Sequence, residues 1–184
     1  MSALPTLRIA HVVRDTQSEG PGRRTAIWVQ GCTIRCPGCC NPELFTTRGG
    51  TERRIEELVA EAEGMEGITV VGGEPFEQAS GLAALVHALP EHQSVMVFSG
   101  YRLEELQARG CAGTERALAG IDVLVDGRYD AALPDASRRW IGSTNQRVHF
   151  LTDRYGDQDF VGERSIELRY KDGELVVVGW PAWR

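Results

Sequence analysis

A chain of 184 residues with 42 % apolar and 25 % charged side chains has the composition of an ordinary globular domain, long enough for one hydrophobic core and short of the length at which cores divide. Its formal net charge of −6 speaks against a nucleic-acid groove or an anionic membrane surface, both of which concentrate Lys and Arg. No stretch approaches the run of about 18 apolar residues that a membrane helix needs, and arginines such as Arg23, Arg24, Arg53 and Arg54 are scattered as on solvated faces.

Taken in chain order, the first segment, MSALPTLRIAHVVRDTQ, has neither the basic start nor the continuous apolar run of a secretory signal. The expected compartment is therefore the reducing cytoplasm, where clustered thiols more often bind metal or do chemistry than form disulfides. Apolar, β-branched runs predict strands at residues 26–30, 68–71, 95–99 and 121–125. Between them, apolar residues at helical spacing predict amphipathic helices over 51–59 and 78–89, with a weaker one starting near Leu103. Alternating strand and helix implies βαβ units. The expected fold is thus α/β, an open parallel sheet or a partial barrel in one domain over residues 1–184. The tail alternates over 165–170 and 174–179 around Lys171-Asp172-Gly173, which predicts a C-terminal β-hairpin.

Unusual residues follow each predicted strand: Cys32 the first, Gly72-Gly73-Glu74-Pro75 the second, Ser99-Gly100-Tyr101 the third and Asp126-Gly127-Arg128-Tyr129 the fourth. Carboxyl ends of parallel strands are where ligands bind, because the βα loops converge there. One active face is expected.

Four of the five cysteines lie between positions 32 and 40. Cys32, Cys36 and Cys39 form a C-x3-C-x2-C array on a Gly- and Pro-bearing loop. A cubane cluster ordinarily takes four cysteines, so three leave one iron open to substrate, by the logic that leaves a position free on a catalytic zinc. Structural zinc is the competing reading, but no second C-x2-C pair or H-x3-5-H partner is present, and Cys40, adjacent to Cys39, is a poor fourth ligand. A thioredoxin-like reading of Cys36-Pro37-Gly38-Cys39 leaves Cys32 unexplained and lacks a helix start. Cys40 is expected to be a spectator thiol and Cys111 a small buried hydrophobe. His11, His87, His92 and His149 share no metal spacing, and Trp28 is expected in the core.

The cysteine loop after one strand and Gly72-Gly73-Glu74-Pro75 after the next resemble the radical S-adenosylmethionine superfamily. Within it, Ser18-Glu19-Gly20-Pro21-Gly22-Arg23, Trp28-Val29-Gln30-Gly31-Cys32 and Cys36-Pro37-Gly38-Cys39-Cys40-Asn41-Pro42-Glu43 are similar to the activases of glycyl-radical enzymes, above all those serving anaerobic ribonucleoside-triphosphate reductase. Ser99-Gly100-Tyr101, Val125 to Tyr129, Gly142 to Arg147 and Gly179-Trp180-Pro181 continue the likeness in order, so it covers nearly the whole chain. One departure is Cys40, where the family pattern has an aromatic residue.

The resemblance implies a radical S-adenosylmethionine fold and a 4Fe-4S cluster on Cys32, Cys36 and Cys39 whose open iron is chelated by S-adenosyl-L-methionine. One electron, from a donor such as flavodoxin or ferredoxin, then splits the cofactor to a 5′-deoxyadenosyl radical that acts on a glycine of the partner reductase. Gly72, Gly73, Glu74 and Pro75 are implied at the cofactor's methionyl group, with backbone approaching where no side chain stands. Ser99 is assigned to its carboxylate or ribose, and Asp126 to a ribose hydroxyl or the substrate face. Asn145 is a turn or cap residue and stays outside the catalytic set. With no room for a second domain or long lid, the active face is expected to be poorly covered until a protein partner closes it. A radical enzyme of the same superfamily acting on a small metabolite or peptide, and a non-catalytic metal-binding module, are the alternatives.

Overall fold

The computed structural model describes residues 5–171 and 174–179. In chain order its regular elements are β1 (Thr6–Thr16), β2 (Arg24–Val29), β3 (Thr51–Arg54), α1 (Ile55–Glu61), β4 (Gly67–Gly72), α2 (Ala79–Ala88), β5 (Ser94–Ser99), α3 (Leu103–Ala108), α4 (Ala112–Ala119), β6 (Val123–Asp126), β7 (Arg147–Phe150), β8 (Glu167–Lys171) and β9 (Glu174–Val178).

Seven strands form one sheet in the order β3-β1-β2-β4-β5-β6-β7, and β8-β9 make a separate two-stranded ribbon. β2, β4, β5 and β6 run parallel. β1 pairs antiparallel with both β2 and β3, and β7 antiparallel with β6. The expected parallel sheet is therefore the middle of a mixed one. Residues 51–59, read as one helix, divide at Arg54: Thr51 to Arg54 add to the edge of β1, with Leu7 opposite Arg53, and only then does α1 begin. The period of the apolar residues located α1 correctly but could not show that its first turn is claimed by a neighbouring strand.

The pleat sends alternate residues of each strand into two different cores. On β5, Val95 and Val97 join Leu58, Leu82, Leu85 and Ile68 beneath the helices, whereas Met96 points the other way, toward Val123, Val125, Trp140, Ile141 and Phe160. Both sheet faces are covered, which is why these strands read as near-continuous apolar runs. Trp140 and Phe160 meet edge to face at 5.2 Å, and α2 lies so close to β1 that a Cβ on Gly81 would stand 2.4 Å from the Thr6 carbonyl oxygen. Among the described residues no helix is long and apolar enough to cross a membrane. Cys111 is exposed at the N-cap position of the surface helix α4, not buried, and the N–H groups of Thr114 and Gly113 draw its pKa down.

The expected hairpin is present as β8 and β9, paired from Glu167↔Val178 to Lys171↔Glu174. Asp172 and Gly173, where the turn is expected, and Trp180-Pro181 of the last family-like segment lie outside the described residues.

Candidate active site

The cysteine loop leaves the carboxyl end of β2. Gly31 N–H donates to the Leu44 carbonyl at 3.0 Å and Cys39 N–H to that of Cys36 at 3.1 Å. Arg35 and Gly38 take positive φ of 53° and 75°, so the chain reverses between successive cysteines. Thr33 N–H donates 2.8 Å to Glu77 Oε1, tying the loop to the turn after β4. Cys32, Cys36 and Cys39 are half-buried and Cys40 is exposed. All four line a cavity of about 570 Å³ at the carboxyl edge of the parallel strands.

Backbone N–H groups surround these sulfurs: those of Arg35 and Ile34 reach Cys32 and that of Tyr129 reaches Cys36, while Asn41 N lies 3.5 Å from Cys39 Sγ. Burial pushes the Cys32 and Cys36 thiols up. Cys39 is drawn down to about 6, first by the Cys40 thiol and then by the Asn41 N–H, and Cys40 is pushed up in return. Among the described residues no three His, Cys, Asp or Glu side chains are gathered as a closed metal cage. The donor set nonetheless fits an iron–sulfur cluster: three soft sulfurs on one cavity wall, each met by the N–H donors that stabilise ligated thiolates.

The turn after β4 packs directly on this loop. Gly73 N–H donates to Val29 O and Glu74 N–H to Gly31 O, both at 2.8 Å. A Cβ on Gly73 would stand 2.3 Å from Gly31 O, and one on Gly72, whose φ is +103°, would stand 2.8 Å from Trp28 Cα. Both glycines are thus required by the approach of two backbones, before any cofactor is considered. Glu74 is buried and its carboxylate accepts from Phe76 N at 3.0 Å, Ser99 Oγ at 2.9 Å and Gly100 N at 2.8 Å. Burial pushes its pKa up to about 7 against those three donors. Glu74 is therefore a bracket joining the ends of β4 and β5. Pro75 is buried behind it.

Ser99 lines the cavity, but its hydroxyl gives its proton to Glu74 and accepts from Tyr101 N at 3.1 Å. Asp126 is fully buried and is not among the residues lining the cavity. Its carboxylate takes Leu103 N at 2.6 Å, at the start of α3, and Arg147 Nε at 2.9 Å, with His149 Nε2 2.9 Å away. Burial would raise its pKa, yet Arg147 and the Leu103 N–H hold it below the usual range. Its contacts with Leu103 N and Arg147 hold Asp126 toward α3, and the following Gly127 and Tyr129 are among the residues that line the cavity.

Other lining residues lay outside the sequence-derived set. Trp28 lines the cavity rather than the core, and His11, Glu19, Phe98 and Trp140 join it. Glu19 accepts Gly179 N at 2.8 Å, and burial pushes its pKa up to about 7. Gly142 and Gln146 belong to the family-like segment 142–147 and do reach the cavity, Gln146 Oε1 accepting Gly142 N at 3.1 Å. Asn145 is a turn residue, its Nδ2 donating 2.8 Å to Arg128 O. Leu175, Val176 and Val177 of the hairpin form part of the wall, so the face expected to be bare is partly covered.

Residues 18–149 match the family model described as a 4Fe-4S single cluster domain. The anaerobic ribonucleoside-triphosphate reductase-activating protein of Salmonella typhi is 33 % identical over 144 residues, covering 72 % of this chain and 91 % of that protein. Its counterparts from enterobacteria phage T4 and Escherichia coli K12 are each 31 % identical over 144 residues, covering 73 % and 72 % of this chain and 88 % and 91 % of theirs. The chain belongs to this family of 4Fe-4S activating proteins. The matched span runs from the turn before β2 to β7 and so takes in the cysteine loop, the Gly72–Glu74 turn and Ser99, while the β8–β9 ribbon lies beyond it.

Proposed function

We propose that residues 1–184 form a single radical S-adenosylmethionine domain of partial-barrel type, which acts in the cytoplasm to install a glycyl radical on an anaerobic ribonucleoside-triphosphate reductase. The observation that carries this reading is the packing of the cysteine loop on the Gly72–Glu74 turn at one cavity edge, through Gly73 N to Val29 O and Glu74 N to Gly31 O at 2.8 Å each. Cys32, Cys36 and Cys39 would hold the 4Fe-4S cluster, and three protein ligands would leave it able to take S-adenosyl-L-methionine. With one electron from a donor such as flavodoxin or ferredoxin, the bound group would supply a carbon radical able to take a hydrogen atom from a glycine Cα, with methionine and 5′-deoxyadenosine as the products released.

The chain's own residues position that chemistry. Gly72 and Gly73 bring backbone to the methionyl end, and Pro75 starts the helical turn that fixes them. Glu74 holds this turn against Ser99 and Gly100 at fixed distance, so Ser99 serves the cofactor's polar end through Glu74. Asp126 supports the site from behind by joining β6, α3 and Arg147. Trp28, Phe98 and Trp140 exclude water from the cavity, where a radical would otherwise be quenched.

The test combines reduced, anaerobically reconstituted protein, S-adenosylmethionine and the reductase matched to it by genome. A glycyl doublet in electron paramagnetic resonance with stoichiometric 5′-deoxyadenosine is the expected result. Absence of a doublet on a folded reductase, with rapid turnover of a small metabolite instead, overturns the reading.

A further inference from the structure

The ribbon β8–β9 is amphipathic in the reverse sense from most surface hairpins. In an antiparallel pair, residues directly opposite share a face. The register places Glu167↔Val178 and Arg169↔Val176 on one face, and Leu168↔Val177 and Tyr170↔Leu175 on the other.

The first face is fastened to the domain. Glu167 Oε1 accepts Thr16 Oγ1 at 2.7 Å and Gln17 N at 2.9 Å. The Arg169 guanidinium donates to the carbonyls of Arg14 and Asp15. Val178 is fully buried, and Gly179 N donates to Glu19 at 2.8 Å. These bonds fix the ribbon's orientation.

The second face then points outward, and it carries four large apolar side chains. Leu168 is 61 % exposed, Tyr170 77 %, Leu175 62 % and Val177 43 %. Clustered exposure of this kind marks an interaction surface, and a two-stranded ribbon needs such cover for independent stability. Its position decides what covers it. Leu175 and Val177 of this face line the cavity wall together with Val176 of the fastened face, which is itself 37 % exposed, so the ribbon borders the cavity mouth and its outward apolar face starts there.

We infer that the Leu168–Tyr170–Leu175–Val177 face is a docking surface for the reductase, gripping the protein beside its glycine loop while that loop enters the cavity. This rests on the activase reading above and adds to it the place where the partner is held. An outward apolar face that starts at the cavity mouth suits a large protein that must cover the mouth as it binds, whereas a small substrate has no use for cover extending past Leu175.

The test uses the full chain, reconstituted and anaerobic, and measures Kd for the matched reductase together with the glycyl doublet. L168D/Y170D, which leaves the cavity-lining residues unchanged, should weaken binding at least tenfold, as loss of central interface anchors does. Iron, sulfide and the slow cleavage of S-adenosylmethionine without partner should stay at wild-type values. L168T/Y170T, whose threonines keep strand-forming character, should weaken binding in the same direction and so excludes local unfolding as the cause. Unchanged Kd and doublet in both variants would overturn the docking surface and leave the activase reading standing. Absence of binding and doublet with the wild-type protein would overturn the activase reading itself. A dimer lost in L168D/Y170D with Kd for the reductase unchanged would assign the face to a second copy of the chain, also overturning the proposal.

Discussion

The two edges of the parallel strands are built on opposite plans. At the amino edge, where β2, β4 and β5 begin, Arg24 is fully buried and its guanidinium donates to Thr69 Oγ1, Pro21 O and Ser94 Oγ at 2.9 Å each, to Ser94 O at 3.2 Å and to Ile68 O. A buried charge so fully satisfied locks strand ends together, and nothing from outside can compete for it. At the carboxyl edge the Glu74 bracket is equally complete, but the neighbouring cysteine loop is half-exposed and forms no closed cage by itself. One edge is finished by the protein alone; the other is half finished and set up to receive its ligand.

Substitution at the amino edge should break the fold without touching the site. Arg24→Met leaves several buried acceptors unpaired, which should lower the unfolding free energy by about 3 kcal/mol or more. The check is chemical denaturation of the metal-free protein. A variant as stable as wild type would mean that the amino edge is not the stability edge.

A smaller effect lies in the bracket. Burial raises Glu74 from an ordinary value of 4.5 to about 7 in the native state, so between those values the folded protein keeps a proton that the unfolded chain has released. Stability from this group is complete below about pH 4.5 and is lost as pH rises through 7, with a span of up to about 3 kcal/mol. Glu19 acts in the same direction. Glu74→Gln should therefore flatten, without abolishing, the fall in stability between pH 4.5 and 7 seen in denaturation of the metal-free protein. An unchanged slope would show that Glu74 stays ionised through that window.

The contrast between edges also explains what could be read from the sequence. The four central strands, α2 and the loops after each strand were legible because strands buried on both faces need unbroken β-branched runs, and because Cys32, Cys36 and Cys39 have a spacing with few uses. β1 was not legible: charged residues interrupt TLRIAHVVRDT, and two register shifts against β2 break its alternation. β3 and β7 are four-residue edge strands defined by their partners rather than by their own side chains. Asp126 sits at a strand end, as the site residues do, but Leu103 N and Arg147 take up its carboxylate on the α3 side, and sequence position does not show which neighbours a strand-end residue meets. Glu19 falls in the family-like segment Ser18 to Arg23, but the ribbon is brought to it by a contact 160 positions apart, Gly179 N to Glu19, which no local pattern announces.

The half-finished edge is tested most directly by iron and acid-labile sulfide per chain, with the visible absorption, in anaerobically reconstituted cysteine variants. Cys32→Ala, Cys36→Ala and Cys39→Ala should each abolish the cluster, while Cys40→Ala, which removes an exposed thiol, should keep iron, sulfide and absorption near wild-type values. A triple Cys32, Cys36 and Cys39 variant that retained wild-type iron, sulfide and absorption would contradict the assignment of these three thiols as the cluster's ligands.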